Sequence, residues 1–157
     1  MEQVFRVGQR ASMRKTITEA DVVLFGCVTG DQNPVHTDEI AASESRFGRR
    51  IAHGMLAAGL ISAVLGMRLP GPGTVYLKQT LSFRKPIYIN DTVTTTVEIA
   101  AIRVDKPILT LTTMVTNQAG EVCVEGESLV YCDQCHINGS DPFGKLAASH
   151  PETASAD

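Results

Sequence analysis

His53-Gly54-Met55-Leu56-Ala57-Ala58-Gly59-Leu60-Ile61-Ser62-Ala63-Val64-Leu65-Gly66 is apolar on almost every side of a helix drawn through it. A helix apolar all round is a buried helix, so this segment is read as the center of the fold. Its alanines and glycines allow sheet backbone to approach closely. At about 1.5 Å per residue it is roughly 21 Å long, similar to a six-residue strand at about 3.3 Å per residue.

Beyond Pro70-Gly71-Pro72-Gly73 the hydrophobic period changes to two. Val75, Leu77, Leu81 and Phe83 are expected on one strand face, with Gln79 its polar exception. Val93, Val97 and Ile99 alternate with Thr94, Thr96 and Glu98, and Leu109, Leu111 and Val115 with Thr110, Thr112 and Met114. Val122, Val124 and Val130 follow the Asn117-Gln118-Ala119-Gly120 turn. These are half-buried antiparallel strands with short connections such as Val104-Asp105-Lys106-Pro107. Upstream, a short strand is expected around Phe5–Ile17, followed by a helix capped by Thr18, with Glu19 and Asp21 at its positive end. Val22, Phe25 and Val28 form its apolar side, Cys27 reads as core, and turn chemistry stops it near Gly30. One long helix followed by a four-strand meander predicts an α+β hotdog fold, a curved antiparallel sheet wrapped around one long buried helix. Its open sheet edge and helix side point to a homodimer.

Composition bounds the rest. Of the 157 residues, 1–134 are read as the working domain. Residues 135–157 run to Gly, Ser, Ala, Pro and acidic side chains and are expected to form a flexible tail. A formal charge of −3 argues against a general nucleic-acid binder, while leaving room for one bound polyphosphate at a local cluster. The apolar stretch near 54–67 is too short to span a bilayer, and MEQVFRVGQR lacks the apolar core of a signal peptide. A cytoplasmic protein without membrane association is expected. Cys27, Cys123, Cys132 and Cys135 are then reduced thiols by default. Cys132-Asp133-Gln134-Cys135-His136 matches the C-x-x-C-H pattern of haem attachment, but it sits at the end of the last strand and is read as unlinked thiols.

Four places are weighed for chemistry. Asp31 and His36 lie five residues apart across a turn pinned by Pro34. Their ordinary pKa values, about 3.9 and about 6.5, suit an acid–base pair in a partly dry site. The alternative is a solvated Asx-turn followed by a surface histidine. Gly54 opens the long helix, where unpaired N–H groups and the helix dipole make an oxyanion site. The alternative there is simple relief of crowding. Ser62 is the one hydroxyl in the long helix; it lacks a G-x-S-x-G elbow and reads first as bonded back to the helix. Arg46, Arg49 and Arg50 flank the approach to that helix, either for a nucleotide phosphate or as scattered surface charges.

Phe25-Gly26-Cys27-Val28-Thr29-Gly30-Asp31-Gln32-Asn33-Pro34-Val35-His36, with Ala42 six positions on, resembles the signature of the MaoC-like dehydratases. The likeness continues through Ile51-Ala52-His53-Gly54-Met55 and Leu69-Pro70-Gly71-Pro72-Gly73, then Tyr76, Gln79, Leu81, Phe83 and Pro86. It covers roughly residues 5–131, is most specific over 25–55, and is strongest toward single-domain (R)-specific enoyl-CoA hydratases. Some of these supply (R)-3-hydroxyacyl-CoA for polyhydroxyalkanoate synthesis. The resemblance implies reversible hydration of trans-2-enoyl-CoA to (R)-3-hydroxyacyl-CoA. Asp31 and His36 would hold one water, and the Gly54 amide would bind the thioester oxygen. Asn33 would hold the loop and Ser62 would hydrogen-bond near Asp31. His53, Leu65, Tyr76 and Gln79 are the expected substrate contacts, Leu65 as a wall of the acyl slot. Neither metal nor cofactor is implied. Three other readings use the same fold: a 3-hydroxyacyl-ACP dehydratase, an acyl-CoA thioesterase, and a non-catalytic acyl-CoA-binding module. The thioesterase usually needs a carboxylate on the central helix, and none lies between His53 and Gly66.

Overall fold

The computed structural model describes residues 5–103 and 105–132. The expected tail, with Cys135 and His136, lies outside the described residues. Strand β1 (Arg10–Thr16) leads into helix α1 (Glu19–Thr29) and two short helices, α2 (Pro34–Thr37) and α3 (Glu39–Glu44). The long helix α4 (Gly54–Met67) precedes strands β2 (Thr74–Phe83), β3 (Thr92–Ile102), β4 (Ile108–Thr116) and β5 (Val122–Cys132). All the strands join one antiparallel sheet of order β1-β3-β4-β5-β2.

Local chemistry explains the element ends. Thr18 caps α1 through a reciprocal box: the Asp21 N–H donates to its hydroxyl at 3.2 Å, and its own N–H donates to the Asp21 carboxylate at 2.8 Å. Burial pushes the Asp21 carboxyl up, but the Thr18 bonds and the Lys15 ammonium outweigh it and hold the group below its ordinary value. Gly30 closes α1 in the left-handed region, at φ 78°.

The core lies between α4 and the concave side of the sheet. Ala57, Ile61, Val64 and Leu65 of the helix face Val93, Val97 and Ile99 of β3, Leu109, Leu111 and Val115 of β4, and Val124 and Val130 of β5, all in one buried cluster. The helix touches β1, β2, β3 and β4, which is the hotdog arrangement. Ile61 is fully buried. Ile61→Ala is therefore expected to lower the unfolding free energy by about 2–5 kcal/mol, measured by urea denaturation. A loss below about 0.5 kcal/mol, the size of a surface change, would remove this residue from the core.

Three expectations change. The last four strands are not a simple meander: β3, β4 and β5 are sequential neighbors, but β2 lies beyond β5 and β1 takes the place beside β3. In the link from β2 to β3, Tyr88 forms an isolated antiparallel bridge with Ile51. Within β2 a register shift between Tyr76 and Lys78 inserts Leu77 as a bulge. Tyr76 and Leu81 thus pack on the core, while Val75 and Leu77 are exposed. Helix α1 lies across the surface rather than under it. Val22 is buried, but Val28 is 86% exposed and Cys27 is exposed, so Cys27 is not a core residue.

Helix α4 is likewise buried on one side only. Met55, Ser62 and Met67 face outward in the single chain. The small-residue pattern made the helix apolar all round, yet the sheet covers only one side of it.

Candidate active site

The turn after α1 is built from its own polar side chains. The Thr29 hydroxyl accepts from the Asp31 N–H at 3.3 Å, and the Asp31 carboxylate accepts from the Asn33 N–H at 3.2 Å. The Asn33 side chain caps α2 by accepting from the Val35 N–H at 3.3 Å, and Pro34 occupies the first helical turn. Asn33 therefore holds the loop. The single turn of α2 carries His36 inward, where it is 8% exposed, and leaves Asp31 exposed.

His36 is locked from two sides. Its Nδ1 donates to the Ile51 carbonyl at 2.8 Å. A carbonyl only accepts, so Nδ1 carries the hydrogen and Nε2 of the neutral ring keeps a free lone pair. Arg50 Nε donates to the His36 carbonyl at 2.6 Å, and its guanidinium also pairs with Glu19 at 2.8 Å. Sequence reasoning placed Arg50 among possible phosphate ligands; the structure makes it the clamp on the His36 backbone. Nothing in a lone arginine 14 residues downstream signals this. Arg49 lies over the Tyr88 ring at 4.0 Å, and Arg46 lines the cleft over Phe47.

Asp31, His36 and His53 each bring one polar atom into a group in which all atoms lie within 4.8 Å of one another. Polar atoms this close can share one bound molecule through hydrogen bonds of about 2.8 Å each. The two histidine rings lie 3.9 Å apart between centroids with their planes tilted by 33°.

His36 and His53 line a cleft together with Gly54, with Phe83 and Ile87 supplying apolar wall and Arg46, Arg84 and Lys85 at its basic rim; Asp31 is not one of its lining residues. Gly54 is the first residue of α4, so its N–H has no intrahelical acceptor and faces the positive end of the dipole. A Cβ on Gly54 would come within 2.8 Å of the Phe83 ring. Both sequence readings of Gly54 are thus compatible: close approach demands glycine, and the bare amide borders the cleft.

The remaining expected residues are placed elsewhere. Ser62 is exposed on the outer side of α4, with no bond to Asp31 among the described residues. Leu65 is 1% exposed within the core cluster. Tyr76 and Gln79 do not line the cleft; the Tyr76 hydroxyl donates to Gln79 Oε1 at 2.6 Å, and Ser128 donates to the same oxygen. Gln79 Nε2 reaches Thr113 at 3.2 Å, closing an internal polar cluster under the sheet. Burial pushes the Tyr76 phenol up, partly offset by the Ser128 bond. His53 lines the cleft but is only 2% exposed.

The chain is similar to known proteins over most of its length. It is 46% identical over 128 residues to an (R)-specific enoyl-CoA hydratase of Aeromonas caviae, covering 82% of this chain and 96% of that one. It is 50% identical over 123 residues to an (R)-specific enoyl-CoA hydratase of Rhodospirillum rubrum, covering 78% and 85%. The solved structure of an (R)-hydratase from A. caviae involved in PHA biosynthesis superimposes with a TM-score of 0.80 at 46% identity, covering 82% of this chain and 98% of that one. The family model for the MaoC like domain matches residues 5–119, and the chain therefore belongs to the MaoC-like domain family.

Proposed function

We infer that the protein is an (R)-specific enoyl-CoA hydratase, a hydro-lyase that adds water reversibly across the double bond of trans-2-enoyl-CoA. One observation carries the reading: the Asp31 carboxyl and the His36 imidazole bring polar atoms within 4.8 Å of each other, and His36 shares a cleft with the helix-terminal amide of Gly54. Relatives named for this reaction, at 46% and 50% identity, support it.

In the proposed reaction, the enoyl chain lies in the cleft with its thioester oxygen on the Gly54 N–H. Asp31 and His36 share the water and remove one of its protons as its oxygen bonds to C3. The electrons of the C2–C3 double bond move toward the thioester, giving an enolate stabilized at Gly54 by the helix dipole. A proton returned by the same pair to C2 completes the (R)-3-hydroxyacyl thioester. The two groups act as one coupled unit, so neither proton transfer is assigned to one residue alone. Water, two proton carriers and an oxyanion donor suffice, and no metal or redox cofactor takes part.

The chain pairs as a homodimer in this reading. Edge strand β2 has one side unpaired, and Val75 and Leu77 on it are 44% and 39% exposed. The outer side of α4, with Met55, Ser62 and Met67, is the adjoining surface, and Ser62 would meet the site there rather than within its own chain. Among the described residues no helix is long and apolar enough to cross a membrane; a cytoplasmic location is part of this reading. PHA supply is the associated route proposed by likeness to the A. caviae structure.

The reading is tested by following loss of the enoyl absorbance of crotonyl-CoA with the purified protein, with chiral analysis of the product. The (R)-3-hydroxy product is expected. Turnover only of the same acyl group on acyl carrier protein would assign the carrier-protein dehydratase instead, and binding without turnover the acyl-CoA-binding module.

A further inference from the structure

We propose that His53 is the positioning residue of this site, holding the Asp31 turn, the His36 ring and the Gly54 amide in one fixed relation. The proposal rests on the hydratase reading above. It gives His53 a part distinct from contact with the substrate.

His53 is 2% exposed, and its two ring nitrogens are treated unequally. Nε2 donates to the Asp31 backbone carbonyl at 3.0 Å. Because a carbonyl only accepts, the hydrogen is on Nε2, and Nδ1 of the neutral ring is a bare lone pair. That Nδ1 is buried with no partner among the described residues. A histidine kept only for packing would be better replaced by an apolar side chain, which carries no unmet hydrogen bond into the interior. What this residue supplies that Leu or Phe cannot is the Nε2 donor.

The donor matters because of how Asp31 is tied down. Its other hydrogen bonds, from its N–H to Thr29 and from Asn33 to its carboxylate, stay inside its own exposed turn. Among the described residues the bond from His53 is the one that leaves the turn, reaching 22 residues along the chain to the start of α4. At the same time the His53 ring stacks on His36 at 3.9 Å, with Phe25 at 4.9 Å. The stack and the Ile51 bond together prevent the His36 ring from turning its free Nε2 away. His53 is also the N-cap of α4, so the Gly54 amide follows it by a single peptide bond. One buried side chain therefore registers carboxyl, imidazole and oxyanion donor against one another.

Two near-isosteric replacements separate positioning from packing. In His53→Gln the side-chain amide keeps an N–H able to reach the Asp31 carbonyl; His53→Met fills similar space without a donor. Expected is a kcat about 100-fold below wild type for His53→Met, the size of loss that follows from an ångström of misplacement. KM should stay within about threefold, because the cleft walls are intact, and His53→Gln should recover at least about tenfold of the lost kcat. Should the methionine variant fail to fold, His53→Asn replaces it; its shorter amide cannot reach Asp31, and the same loss is expected. A donor-less variant with kcat within about threefold of wild type, or equal losses with and without the donor, would overturn the proposal. Asp31→Asn run in parallel separates the two claims. Wild-type turnover abolished by Asp31→Asn upholds the hydratase reading whatever His53 does, whereas a wild type without turnover removes both.

Discussion

Asp31→Asn is expected to lower kcat for crotonyl-CoA hydration by about 10²–10⁴-fold, the contribution of a positioned acid–base group. The variant should fold normally. Asp31 is exposed, and among the described residues its carboxylate accepts one local bond, from the Asn33 N–H at 3.2 Å. An asparagine keeps that acceptor and its size, and the His53 bond goes to the Asp31 backbone rather than to the substituted side chain. What disappears is the charge and the ability to take up and release a proton. Single-turnover and steady-state assays with unchanged circular dichroism would isolate the chemical step. Retention of more than about a tenth of wild-type kcat would sink the assignment of Asp31 to acid–base work. His36→Gln is less clean, because it also breaks the Nδ1 bond to Ile51 and the stack on His53.

The second large effect concerns stability. Gly126→Ala is expected to cost at least about 3 kcal/mol, toward the upper end for overpacking, and to lower Tm by roughly 10 °C. Gly126 on β5 sits opposite Leu81 of β2, and a Cβ there would overlap the Thr80 carbonyl oxygen and lie 2.8 Å from its carbon. The obstacle is backbone, so no rotamer change relieves it; β2 must shear away from β5. Strand β2 also carries Phe83, which packs over the start of α4 at Gly54, so residual folded protein should bind substrate poorly. Glu127→Ala, next along the strand with an exposed side chain, is the matched control and should change stability by less than about 0.5 kcal/mol. Equal melting temperatures for the two variants would show that the strands separate at little cost.

Residue order alone was enough for every feature controlled by neighbors along the chain. The Thr18 cap, the Gly30 stop, the Asp31-to-His36 turn and the period-two faces of β3 and β4 all match expectation, because caps, turns and side-chain alternation depend on a few adjacent residues. Features that depend on which distant segments meet were beyond that reach. Val75 and Leu77 alternate with their neighbors as a buried face would, but the bulge at Leu77 turns the strand over, and only pairing with β5 creates the bulge. Cys27 and Val28 look like core in an apolar helix; the side of that helix that carries them is left uncovered by the described residues, so both are exposed. Arg50 and His53 carry no local sign that they clamp the backbone of His36 and Asp31, since a hydrogen bond across 14 or 22 residues leaves no spacing to read. Periodicity reports the face a side chain takes within its own element. Whether that face is covered, and by what, is set by the packing of elements far apart in sequence, and it is that packing which brings polar atoms of two histidines and an exposed carboxyl within 4.8 Å of one another.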